Sequence, residues 1–216
     1  MPEAAPQVPK PRIQSLSDLI FGLALSVAAI SFTFGGSLPS TAQVLTTDIA
    51  SFGFTFLILI GVWNRYTTTT SVMPVETPWL IRVNMVLLFL VAIEPLLFDV
   101  LYFQGTGSDA GAAASLYFGF DIGGMNLILA YFTHAMIEEE KRKLPEEVLR
   151  RFRTSRVANL LTAAIFFVST LPFFTSAVYL GLPLRVDLWF IALPIAFVPR
   201  LFSGLAGGGT SQTRSS

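Results

Sequence analysis

The chain alternates long apolar blocks with short polar stretches. Six blocks are long enough to cross a bilayer: Leu16 to Phe34, Ile49 to Tyr66, Leu80 to Leu101, Leu116 to Met136, Val157 to Tyr179 and Leu184 to Phe202. The hydrocarbon core of a membrane is about 30 Å thick and takes about 20 helical residues to span. Backbone amides in hydrocarbon must be satisfied within their own segment, so these blocks predict helices, and the chain predicts an all-α integral membrane bundle of six transmembrane helices. The first block is too long for the apolar stretch of a signal peptide, follows a Pro-rich lead and ends without a small-residue cleavage site, so it is expected to stay attached. Residues 1–11 read as a disordered lead and 207–216 as a disordered Gly/Ser/Thr-rich tail, which leaves 12–206 as the membrane domain.

Composition sharpens this picture. Of 216 residues, 53% are hydrophobic and 13% charged, against roughly 25% charged in soluble domains, and the mean hydropathy is +0.65. A water-soluble enzyme is excluded on that balance. Cysteine is absent, which removes disulfides, thiolate metal sites and cysteine nucleophiles. Fourteen Lys+Arg offset fourteen Asp+Glu, so no net charge draws the chain to nucleic acid.

The placement of the basic residues predicts orientation, because cytoplasmic loops carry the Lys/Arg excess. With both termini cytoplasmic, that side holds Lys10, Arg12, Arg65, Arg82, Lys141, Arg142, Lys143, Arg150, Arg151, Arg153, Arg156, Arg200 and Arg214, and the other side keeps Arg185. Within the fourth-to-fifth loop, Pro145 can open a short cytoplasmic helix, with Glu146 and Glu147 in its first turn spaced to pair with Arg150 and Arg151. Its arginines suit anionic lipid headgroups. The outer loop from Gly105 to Ser115 is Gly/Ala-rich and offers no chemistry.

Catalytic chemistry finds little to work with. His134 is the one histidine, so a metal site lacks a second imidazole. Carboxylates in or near lipid are Glu94, Asp99 and Asp121, and intramembrane ionisable groups are candidates for proton or ion handling because burying them is costly. Asp99 reads as an interfacial residue. Glu94 precedes Pro95, whose ring removes an amide donor, so its side chain can instead serve a local kink. Asp121 lies among Gly119, Gly123 and Gly124, small residues that let a neighbouring helix approach. No triad, phosphate loop or His pair can be assembled, so the expectation is a non-enzyme without cofactor or resident metal.

The first block carries the most information. Ser15 and Asp18 have the spacing of a capping box, while Arg12, Ser17 and Asp18 can instead form a charge-assisted network that fixes the helix end. Further along, Leu23, Ser26, Val27 and Ile30 share one stripe, interleaved with Gly22, Ala24, Ala28 and Ala29. Such a face suits burial against other spans or assembly around an axis.

These residues resemble the transmembrane protein 175 family, which includes the endosomal/lysosomal potassium channel of animals and shorter prokaryotic homologues. Its signature is Arg, three residues, then Phe-Ser-Asp at the start of the first span, matched here by Arg12 and Leu16-Ser17-Asp18 with Leu in place of Phe. The resemblance continues through Trp63, then Trp79, Asn84 and Pro95, then Tyr117, Arg156, Trp189 and Pro194. It implies a homotetramer of six-span subunits in a prokaryotic cell membrane, with the first helices lining a central K+ pathway that lacks a Thr-Val-Gly-Tyr-Gly filter. It also implies a ring constriction at Leu23, a hydroxyl position tied to selectivity at Ser26, and apolar pore positions at Val27 and Ile30. Two departures bear on the network behind the first helix: Leu16 removes an aromatic contact, and a histidine of the pattern is here Tyr66.

Four leucines around an axis exclude water when close together and gate by dewetting. Ser hydroxyls one turn away replace part of a cation's hydration shell without contributing net charge, so selectivity is expected to be weak. No block carries arginine at every third position, so voltage sensing is not expected. The expectation is a potassium-permeable leak channel. The alternative from another class is a proton-coupled secondary transporter using Glu94 and Asp121 within one subunit.

Overall fold

A computed structural model describes residues 12–34, 41–71, 77–140, 144–179, 182–192 and 194. The lead, the tail and the basic residues Lys10, Lys141, Arg142, Lys143, Arg200 and Arg214 lie outside the described residues, as does the side chain of Arg12. Five long helices dominate: α1 (Arg12–Phe34), α2 (Ala42–Thr70), α3 (Pro78–Gln104), α4 (Asp109–Glu140) and α5 (Glu146–Ser169). A short α6 (Pro172–Ser176), an antiparallel pair of two-residue strands, β1 (Val178–Tyr179) and β2 (Leu182–Pro183), and a helical segment over 184–192, α7, complete the order. Four of these, α1 to α4, are long and apolar enough to cross a membrane.

Side-chain contacts show that consecutive long helices run antiparallel. Ser17 near the start of α1 meets Tyr66 near the end of α2 and Asn84 near the start of α3, while Asp48 at the other end of α2 accepts from Tyr102 near the end of α3. His134 late in α4 meets Arg156 in the first half of α5. One end of the bundle therefore gathers Arg82, Arg150, Arg151, Arg153 and Arg156, whereas Arg185 bonds Ser115 near the start of α4, at the other end. The core between the helices is built from Leu59, Leu87, Val91, Phe118, Met125 and Trp189.

Several predicted boundaries move, each for a local reason. The fourth span starts at Asp109 rather than Leu116, because the Ala-rich stretch of the expected outer loop is good helix former. The remaining turn is tight: Gly105 has φ 63°, and a Cβ on Gly111 would sit 1.6 Å from the Gly105 carbonyl oxygen. The separate cytoplasmic helix and the fifth span prove to be one helix, α5. Leu149 and Phe152 pack with Met136 and Ile137 of α4, which gives the charged half of α5 a buried face of its own. Glu147 pairs with Arg151 at 2.8 Å as its spacing predicts, but Glu146 reaches Arg153 at 2.8 Å instead of Arg150. The expected span from Val157 to Tyr179 is not a single helix. Pro172 disfavours helical backbone at Leu171, which is extended at ψ 144°, so α5 stops at Ser169 and the rest of the block folds as α6 and β1. Of the sixth block, residues 184–192 and 194 are helical, and 193 and 195–202 lie outside the described residues.

Because the Gly111 contact is with backbone, Gly111→Ala has to displace the turn between α3 and α4. We expect a loss of about 1–3 kcal/mol, read as a lower midpoint in thermal unfolding of the purified protein.

Candidate functional site

The α1 helix divides into two faces. Ser17, Phe21, Ala24 and Ala28 recur at the helical period and are buried against α2 and α3. Opposite them, Leu16, Leu19, Leu23, Val27 and Ile30 form an exposed stripe, with Leu19 68% and Leu23 60% accessible. Ser26 lies on this outer face and donates its hydroxyl hydrogen to the Gly22 carbonyl at 2.8 Å. That bond occupies the donor and leaves the oxygen lone pairs for another group. Sequence reading singled out Leu23, Ser26, Val27 and Ile30 and missed Leu19, although its spacing from Leu16 and Leu23 is the same heptad rhythm.

The inner face is held by polar side chains. The Ser17 hydroxyl shares a hydrogen bond with the Tyr66 hydroxyl at 2.8 Å and accepts one from the Asn84 amide at 3.2 Å. One turn's edge away, the Trp63 indole N–H donates to an Asp18 carboxylate oxygen at 3.0 Å. Phe21 adds a ring contact with Tyr66, centroids 6.0 Å apart. Ser15 and Asp18 do not form a capping box, because α1 is already helical from Arg12 and Asp18 is engaged by Trp63. Tyr66 is thus a full member of the anchor: its hydroxyl is the partner that α2 offers to Ser17.

A second polar centre stiffens the scaffold behind the anchor. Arg65, which the sequence places at the end of the second block, turns inward onto α4 and α5, and α2 continues past it to Thr70. Its guanidinium donates to the Gly61 carbonyl at 3.0 Å, to Asn126 at 2.8 Å on α4 and to Asn159 at 2.7 Å on α5. Three helices are joined by one side chain whose planar fork suits several acceptors at once. The signal in the sequence was an Asn inside each of two apolar blocks, Asn126 in the middle of the fourth and Asn159 near the start of the fifth.

Glu94 and Asp121 are buried in the interior of the bundle, 0% and 3% accessible, and among the described residues neither carboxyl has a hydrogen-bond partner. Helix α3 runs through Pro95 without ending. Gly119 and Gly123 bring α4 against α5, where an added Cβ would meet Thr170 at 2.7 Å and Phe167 at 2.9 Å.

No family model and no curated protein matches the chain by sequence. Among solved structures it is similar to the potassium channel MtTMEM175, a variant crystallised with a nanobody–MBP fusion protein, at TM-score 0.62 and 18% identity over 91% of this chain and 94% of that one. It is also similar to a homologue, from Chamaesiphon minutus, of the lysosomal potassium-selective channel TMEM175, at TM-score 0.54 and 15% identity over 92% and 97%. The chain has the TMEM175 channel fold. Coverage above nine-tenths of each chain means that the likeness to the TMEM175 fold extends over the whole order of helices and not over a fragment.

The anchor is testable by a double-mutant cycle. Ser17→Ala and Tyr66→Phe each remove one half of the α1–α2 bond, and we expect a coupling of about 0.6–1.7 kcal/mol, between the average and the maximum for interhelical hydrogen bonds in such cycles. Equilibrium unfolding of the two single variants and the double variant measures it.

Proposed function

We propose that the protein is a potassium-permeable cation leak channel: a homotetramer of six-span subunits with cytoplasmic termini, in a prokaryotic cell membrane, whose four α1 helices line the pathway. The observation that carries this reading is the two-faced α1, with a hydrogen-bonded inner side and an exposed stripe of Leu19, Leu23, Val27 and Ile30 interrupted by one hydroxyl at Ser26. The TMEM175 fold supports it, since both similar structures are described as potassium channels.

In this reading Leu23 forms the constriction. A ring of four leucine side chains is too apolar to hold a water column when closed, so conduction requires the ring to widen or wet. Ser26, one turn further, presents hydroxyl oxygens that substitute for part of the ion's hydration shell. Without charge on those oxygens the discrimination between K+ and the more strongly hydrated Na+ is modest. Ser17, Asp18, Trp63 and Asn84 set the rotation of α1 and stand behind the pathway, with Arg12 completing the motif and Leu16 at the start of the outer stripe. A single-subunit proton carrier would need Glu94 and Asp121 to reach an aqueous path, whereas both are enclosed by their own subunit.

Reconstituted in liposomes, the protein is expected to carry a K+ flux that Leu23→Asn increases severalfold by wetting the constriction. Unchanged flux in both Leu23→Asn and Leu23→Ala would remove Leu23 from the pathway. Ser26→Ala is expected to lower the K+/Na+ permeability ratio while leaving thermal stability unchanged, as read from reversal potentials and melting curves.

A further inference from the structure

Away from α1, a groove opens on the side of the bundle between α3, α4 and α5. Its volume is about 520 Å³, within the roughly 300–1,000 Å³ of small-molecule sites. The walls are apolar, built from Val83, Leu127, Ile128 and Leu160. Along α4 the groove runs from Leu127 to His134, which at helical rise is about 10 Å.

One end differs in chemistry from the rest. His134 and Arg156 line it, with the guanidinium Nη1 3.0 Å from His134 Nδ1. An arginine donating to Nδ1 leaves the ring's N–H on Nε2, so the pair presents further donors from both side chains. Among the described residues the lining contains no carboxylate to balance the guanidinium. Trp79 stands at the same end, 57% exposed, and indoles of this kind favour the headgroup level of a bilayer. The arginines of α5 lie at this end too, which sets it at the membrane surface while the apolar walls face the hydrocarbon.

A slot that is apolar along its length and cationic at its mouth matches one class of molecule. We propose that this groove is a binding site for an anionic phospholipid, with an acyl chain along Leu127, Ile128 and Leu160 and the phosphate held by Arg156 and His134. The occupant is a membrane lipid, because a free phosphate has nothing to place against the apolar walls and a zwitterionic lipid brings a cation to a site that already holds one. The assignment rests on the membrane reading alone and is independent of conduction.

The test is native mass spectrometry of the purified full chain, titrated with phosphatidylglycerol or with phosphatidylcholine of identical acyl chains. Phosphatidylglycerol is expected to bind with clear preference, and Arg156→Gln to weaken it roughly tenfold, the size of one charge-assisted hydrogen bond. Leu127→Trp, at an exposed position, crowds the groove without touching the charge and is expected to reduce binding as well. Equal retention of the two lipids, undiminished phosphatidylglycerol binding in both variants, or competition by inorganic phosphate alone would each overturn the assignment. So would cross-linking that places a second copy of the chain in the groove.

Discussion

The rotation of α1 about its own axis is the constraint on which the functional reading rests. In lipid, apolar surface alone does not drive one helix onto another, so van der Waals packing and interhelical hydrogen bonds decide which side faces inward. Ser17 and Asp18 supply those bonds through Tyr66, Asn84 and Trp63. They are adjacent in sequence and reach two different helices, which fixes both the depth and the azimuth of α1. With about 3.6 residues per turn, a one-residue slip rotates the helix by about 100°, enough to bury Leu23 and expose Phe21. The outward stripe is therefore a consequence of the anchor, not an independent feature.

The remainder of the bundle acts as a frame for that anchor. Arg65 ties α2 to α4 and α5 through neutral acceptors, so the helix that bears Trp63 and Tyr66 is itself held from behind. Gly119 and Gly123 allow α4 and α5 to approach closely, and Phe118, Phe166 and Trp189 fill the space between α4, α5 and α7 with ring contacts. Trp189 also donates to Ser169 at 3.0 Å, which gives the end of α5 a polar tether after Pro172 has stopped the helix.

The existence of the first four long helices was legible in the sequence, since long apolar blocks in a chain this poor in charge admit few alternatives. Their ends were not. Four consecutive threonines after Tyr66 resemble a loop, yet each hydroxyl bonds back to a carbonyl three or four residues earlier, and α2 continues through them. Side-chain partners were legible only in part: the motif drew attention to Ser17, Asp18, Trp63 and Asn84, but their pairing depends on three helices meeting at one level. Tyr66 read as a departure because a pattern records residue types, whereas the structure requires only a polar group that reaches Ser17. The partners of Arg65 were hidden for a related reason, as a charge at the end of an apolar block is indistinguishable in sequence from one turned inward onto two asparagines.

The central claim is that the exposed stripe of α1 meets copies of itself. The chain contains no cysteine, so a single introduced thiol reports contact between subunits without background. Leu23→Cys protein in native membranes, treated with a mild oxidant, should give disulfide-linked dimers on a non-reducing gel, while Leu57→Cys on the exposed face of α2 stays monomeric. Failure of Leu23→Cys to cross-link, or equal cross-linking at both positions, would contradict an α1-lined axis.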